Sequence, residues 1–217
     1  WNRCYEPQAM SRDARIKTAL KKDGIYAKSY SGSLLFEPHI SVKEDGTPYR
    51  VFTPFFRKGC LSRFPQPERP CGTPREIVYY NQKGITLSRL SLKPKVKWYD
   101  SLAKAWNPGE DGAHQRLEEF LKGGIFNYKT GRNIPSGKNV SRLSPHLHFG
   151  EISPHRIWHE VLSSSERIPN KDSDHFLSEL GWREFSYNLL YHNRDLSEKN
   201  LQPKFDRFPW VKKDSAL

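Results

Sequence analysis

The sequence predicts an α/β segment followed by an all-α segment, and three observations carry that reading. A helical run over residues 12–24 is followed at once by an extended run over residues 25–30, the element order of an α/β unit. Residues 64–74 read Phe-Pro-Gln-Pro-Glu-Arg-Pro-Cys-Gly-Thr-Pro, too rich in proline and glycine for regular structure. From Gly109 onward, apolar residues recur at helical spacing in one segment after another.

Taken in order, residues 1–5 are expected to end a strand. In the first helix, Ile16, Ala19 and Leu20 share a face, Ser11 or Asp13 is placed to cap the start, and Gly24 suits the C-terminal cap. A strand over residues 25–30 and a turn at Ser31-Gly32 follow, then a second turn over residues 43–48. Residues 49–56 are aromatic and expected to pack on the core, with Pro54 opening a helix that reaches Phe64. Residues 75–108 are polar and weakly patterned, an ordered linker with Trp98 and Trp106 as anchors. Ala113, Leu117, Phe120 and Leu121 form a helical stripe stopped by Gly123-Gly124. Ser153-Pro154 is a capping hydroxyl followed by a first-turn proline, and Ile157, Trp158, Val161 and Leu162 give that helix its buried face. Phe176, Leu177, Leu180, Leu189 and Leu190 mark a longer helix over residues 174–192.

Composition narrows the function classes. Lys and Arg number 36 against 24 Asp and Glu, a formal charge of +12 that favours a polyanionic partner such as nucleic acid. Aromatics at 13% exclude a disordered chain. Cys4, Cys60 and Cys71 are odd in number and scattered, which excludes a disulfide framework and metal-ligand spacing. No apolar run approaches the length needed to span a bilayer. The sequence begins at Trp1 rather than methionine, as expected of a fragment.

Two stretches hold the groups that chemistry needs. In Val140-Ser-Arg-Leu-Ser144 the hydroxyls of Ser141 and Ser144 and nearby backbone N–H groups suit a pyrophosphate, with Arg142 to balance charge; a plain turn and helix cap would use the same residues. Tyr128 and Arg132 lie just upstream. Glu179, Trp182 and Arg183, at i, i+3 and i+4, share one helix face. There a carboxylate can accept from base N–H groups, an indole can stack on a base, and a guanidinium can take phosphate; a surface ion pair beside a core tryptophan would look the same. His146 and His148, and His155 and His159, lack a third ligand at suitable spacing, so packing or capping is expected and no metal site.

These motifs occur in one order along the chain: Trp1-Asn-Arg-Cys-Tyr-Glu-Pro7, Arg12-Asp13, Tyr30-Ser-Gly-Ser-Leu-Leu35, Val51-Phe-Thr-Pro-Phe55, Ser141-Arg-Leu-Ser-Pro-His-Leu-His-Phe-Gly150 and Gly181-Trp-Arg-Glu-Phe185. In that order they resemble the photolyase/cryptochrome family, most nearly class I cyclobutane pyrimidine dimer photolyases. The resemblance implies the tail of a Rossmann-like antenna domain over residues 1–64, an interdomain linker over 65–108, and the first part of a helical FAD-binding domain over 109–217. It implies FAD as cofactor, a folate or deazaflavin antenna pigment, and ultraviolet-damaged DNA as substrate. It implies that reduced flavin, excited by blue light, passes an electron to a pyrimidine dimer flipped out of the stack, whose two ring-joining carbon–carbon bonds break before the electron returns to the flavin.

Carried over by position, the resemblance assigns Tyr128, Val140, Ser141, Arg142, Leu143, Ser144, Phe176, Glu179 and Arg183 to the cofactor. It assigns Arg132 and the run Glu179, Leu180, Gly181, Trp182, Arg183, Glu184, Phe185 and Ser186 to DNA. It implies that Glu179 and Trp182 meet the lesion and that Trp210 is the outermost member of an electron-hopping tryptophan chain. Ala9 stands where folate-binding relatives carry an acidic residue, which leaves the antenna pigment open. The resemblance implies carbon–carbon lyase repair by a monomer, cytoplasmic or nucleoid-associated and not membrane-bound, and the fragment alone is expected to bind FAD poorly and to be inactive. A cryptochrome-type photoreceptor without repair activity, or a non-catalytic nucleic-acid-binding module, are the alternatives.

Overall fold

A computed structural model describes residues 1–64, 66–78 and 84–209. They are mostly helical: α1 Pro7–Lys22, α2 Phe52–Pro54, α3 Asp100–Ala105, α4 Glu110–Glu119, α5 Tyr128–Gly131, α6 Ser144–Phe149, α7 Pro154–Ser163 and α8 Asn170–His192. Two π-helical turns, Phe55–Leu61 and Phe120–Gly124, and 3₁₀ turns at Leu87–Leu90 and Pro203–Arg207 complete the regular structure. The chain forms two compact units, Trp1–Pro67 with the chain from Asp174, and Glu68–Ser173.

In the first unit, α1 starts five residues earlier than its apolar spacing suggests. Pro7 occupies its first turn and Glu6 its N-cap position, with no side-chain cap, so Ser11 and Asp13 lie within the helix. A proline at the first helical position costs no hydrogen bond and presets φ, so it starts the helix unaided. The end is as expected. Gly24 adopts φ 70°, its N–H donates to Lys21 O at 3.2 Å, and the Ile25 N–H donates to Leu20 O at 2.8 Å, the paired bonds of a Schellman cap. Ile16 on the apolar face remains 45% exposed.

The described residues contain no strand. The expected strand over residues 25–30 reduces to one parallel bridge, Asn2 with Tyr30, made by Tyr30 N–H to Trp1 O at 2.9 Å and Arg3 N–H to Tyr30 O at 3.0 Å. A strand needs neighbours along its whole length, and here the two segments meet at a single position. The helix expected from Pro54 to Phe64 is instead the short α2 followed by the π-helical turn.

The core of this unit gathers Leu34, Leu35, Phe36, Phe55, Phe56 and Cys60 with Phe176, Leu177, Leu180 and Phe185 of α8. Burial pushes the Cys60 thiol up to about 12. Glu184 is buried among them, and its Oε2 accepts the backbone N–H groups of Leu35 at 2.8 Å and Phe36 at 3.1 Å. That satisfies two donors with no ladder partner, an obligation wherever backbone is buried.

In the second unit, Ala113, Leu117, Phe120, Ile125, Leu143, Ile157, Trp158 and Val161 form the core. The Ser153 hydroxyl caps α7 by accepting the Arg156 N–H at 3.1 Å, with Pro154 in the first turn. Leu162 is at the rim rather than buried. Trp98 is 66% exposed, so it is not the anchor it was expected to be; its ring neighbour is Tyr99. Trp106 is half-buried and packs edge-on against His146 at 6.1 Å.

Candidate functional site

In the second unit, a cleft of about 560 Å³ runs beside residues 138–142, with Gly123, Gly124 and Phe120 on its other side. The segment is held in place from its first residues. The Asn139 amide donates to Gly124 O at 3.1 Å and Phe126 O at 2.7 Å. It lies so close to Gly131 that a Cβ there would fall 2.4 Å from the Asn139 side chain. Arg142 then adopts φ 53°, a left-handed conformation that costs a non-glycine residue about 1 kcal/mol. The turn drives Leu143 into the core and leaves Arg142 exposed. The cleft edge thus presents Lys138, Arg142 and the Ser141 hydroxyl, with Arg116 beside Glu119 on the facing helix. Three cations and a hydroxyl against one acidic residue suit an anionic, phosphate-bearing group.

Tyr128 is buried, with the Arg132 guanidinium 5.5 Å from its ring centroid. It opens α5, whose N-cap residue Asn127 is left-handed at φ 61° and supplies no side-chain cap. Asp172 does so from a distance: its carboxylate accepts the N–H groups of Asn127 and Lys129, each at 3.0 Å. His146 is buried with Nδ1 2.6 Å from Glu151 Oε2, and that contact, first among several, holds the Glu151 carboxyl below its usual range. His159 lies 3.3 Å from Glu68 O, and burial lowers His155. Among the described residues no three His, Cys, Asp or Glu could together hold a metal ion.

In the first unit, α8 presents the expected trio unevenly. Trp182 is 45% exposed, and its indole lies flat on the Phe52 ring, centroids 3.8 Å apart and planes 11° apart. Glu179 is half-buried, with Oε1 3.9 Å from His175 Nε2. Arg183 directs Nη1 to Glu184 Oε1 at 3.1 Å and sits 5.0 Å from the Tyr187 ring centroid. Ser186 is exposed.

Within the run from Glu179 to Ser186 that is expected to meet DNA, burial is uneven. Leu180, Gly181, Glu184 and Phe185 face inward; a Cβ on Gly181 would fall 2.6 Å from the Phe56 ring, and Glu184 is 1% exposed. Glu179, Trp182, Arg183 and Ser186 keep exposed surface. Phe176 is buried, and Trp210 lies outside the described residues. Sequence reasoning missed Phe52, whose Val-Phe-Thr-Pro motif drew attention without a role, and Lys138 and Asn139, which directly precede the hydroxyl-bearing segment. It missed Asp172 as well, for which no local signal exists.

The sequence model of the DNA photolyase family matches residues 1–72. Over 97% of the chain, the protein is 40% identical to a deoxyribodipyrimidine photo-lyase of Agrobacterium fabrum. Over nearly its whole length the chain is thus similar to members of the photolyase/cryptochrome family. It is also 31% identical, over 97% of its length, to Cryptochrome-1 of Arabidopsis thaliana. Its fold superimposes on the crystal structure of a bacterial class III photolyase from Agrobacterium tumefaciens with a TM-score of 0.91, at 39% identity over 99% of the chain. A cryptochrome from Synechocystis shares the fold at a TM-score of 0.76 and 23% identity. The chain spans 44% of the first photolyase, 32% of the plant cryptochrome and 45% of the class III structure.

Proposed function

We propose that the protein repairs cyclobutane pyrimidine dimers in DNA, as a lyase driven by light and using reduced FAD as electron donor. The observation that carries this reading is Trp182, a flat ring held against Phe52 with nearly half its surface open. Glu179 stands three residues earlier on the same helix face. An exposed, fixed indole suits stacking on an extruded base, and a nearby carboxylate can accept its N–H groups. The +12 charge favours DNA, and the segment that supplies Phe52 also carries the exposed Arg50, Arg57 and Lys58. Arg132, Arg183 and Ser186, with Trp182 and Glu179, are the residues assigned to DNA.

The cleft beside Ser141 and Arg142 fits the diphosphate and sugar portion of FAD in charge and in close-approach backbone. Tyr128, Val140, Ser141, Arg142, Leu143 and Ser144 are assigned to hold it, Leu143 through its backbone because its side chain is in the core. Phe176, Glu179 and Arg183 complete the assignment on α8. When bound, FAD supplies one-electron donation after light absorption. The chain's own residues neutralise its phosphates, orient it and stack the extruded base. Trp210 is assigned to relay electrons during reduction. An α/β antenna domain over residues 1–64, a linker over 65–108, a helical domain from 109, a second chromophore, a monomeric state and a cytoplasmic or nucleoid location belong to the same proposal.

Among photolyase classes, 39% identity to the class III structure supports a class III reading beside the class I look of the motifs. The alternative is a cryptochrome-type photoreceptor, favoured by the 31% identity to Cryptochrome-1. The test gives the naturally produced protein ultraviolet-damaged DNA, illuminates it with blue light and follows loss of dimers. Repair is the expected result. Absence of repair with reduced flavin bound leaves the photoreceptor.

A further inference from the structure

We propose that Phe52 is a positioning residue for Trp182: it occupies one face of the indole and fixes the other as the base-stacking face. The inference rests on the reading of Trp182 as the ring that meets an extruded base. The geometry is a column of three rings. Trp182 lies on Phe52 at 3.8 Å and 11°, and Phe52 lies on Phe56 at 5.5 Å and 13°. Phe185 closes the side of the column, edge-on to Phe52 at 6.0 Å and to Trp182 at 5.9 Å.

The foot of the column is fixed in turn. Phe56 is buried and reaches so close to α8 that only a glycine fits at position 181. Trp182 follows directly in sequence, so the helix that carries the indole is clamped against the rings that support it. Phe52 itself is anchored at the start of α2, one residue past the extended Val51.

A half-exposed tryptophan on a helix would otherwise lose rotamer freedom when a base stacks on it, and that loss weakens binding. With one face already covered, the ring is held flat before the base arrives, and a base can stack only on the side opposite Phe52. The support acts on lesion recognition alone, because intact DNA keeps its bases in the duplex and never reaches the indole.

The test measures dissociation constants in the dark, on the naturally produced protein, for a duplex oligonucleotide with a single thymine dimer and for the same duplex without it. Phe52→Leu is expected to weaken binding to the dimer roughly three- to tenfold, the size of one aromatic contact, with affinity for the intact duplex unchanged. Phe52→Tyr, which keeps the ring, restores dimer affinity. In a Trp182→Ala background Phe52→Leu causes no further loss, a coupling that general destabilisation would not produce. If Trp182→Ala weakens dimer binding and Phe52→Leu does not, the support role falls while the site reading stands. Equal loss on both duplexes, or full loss in the Trp182→Ala background, also overturns it. If Trp182→Ala changes nothing, the site reading fails and takes this inference with it.

Discussion

Glu184 makes the stability of this protein fall as pH rises through the mildly acid range. Its carboxyl is 1% exposed, bonded to the Leu35 and Phe36 N–H groups and to Arg183. Burial outweighs those stabilising contacts and pushes its pKa from 4.5 to about 7. The folded state therefore keeps the proton up to about pH 7, whereas the unfolded chain releases it near 4.5. Between those values the folded state binds more protons, so the contribution is full below pH 4.5 and lost as pH rises through 7. At about 1.4 kcal/mol per pH unit, the span amounts to about 3 kcal/mol. Glu184→Gln retains an acceptor for the backbone but cannot titrate. Urea unfolding of both proteins at pH 4.5, 6 and 8 isolates the effect, because the other ionisable groups cancel in the difference. The wild type should lose about 3 kcal/mol relative to the glutamine variant between the lowest and highest pH. A difference independent of pH would refute the reasoning.

Four other perturbations test separate parts of the structure. Gly181→Ala places a methyl group 2.6 Å from the Phe56 ring; displacement of the aromatic column should cost about 1–3 kcal/mol in urea unfolding. Asp172→Ala leaves the Asn127 and Lys129 N–H groups without their acceptor; it should destabilise by about 1–2 kcal/mol, read by thermal unfolding. Trp182→Ala should weaken binding to dimer-containing DNA by roughly 1–3 kcal/mol through lost stacking, measured by titration in the dark. Trp210→Phe should slow photoreduction of oxidised flavin while sparing repair by flavin already reduced, and transient absorption separates the two steps.

What the sequence revealed about this fold follows the range of the forces involved. Ser153-Pro154 and Gly24 were legible because a hydroxyl cap, a first-turn proline and a left-handed glycine act within a few residues. The start of α1 escaped because Glu6 makes no side-chain cap and Pro7 alone carries the signal. The strand over residues 25–30 failed because pairing depends on a distant partner, here met only at Asn2. In the candidate site, residue types and spacing left open whether Trp182 lies in the core or at the surface and whether residues 140–144 are more than a turn and cap, because both depend on tertiary packing. The inward turn of Glu184 did not, since its acceptor role serves Leu35 and Phe36, nearly 150 positions earlier. Asp172 was hidden for the same reason, its duty lying at Asn127 and Lys129.

Cys60 gives the first unit an internal reporter. It has no exposed surface, and burial holds its thiol far from the reactive thiolate, while Cys4 and Cys71 are exposed. An alkylating reagent at neutral pH will therefore mark two sulfurs promptly and the third only when the aromatic core parts. Mass spectrometry of the slow adduct then times how often that core breathes, without any label having to be engineered in.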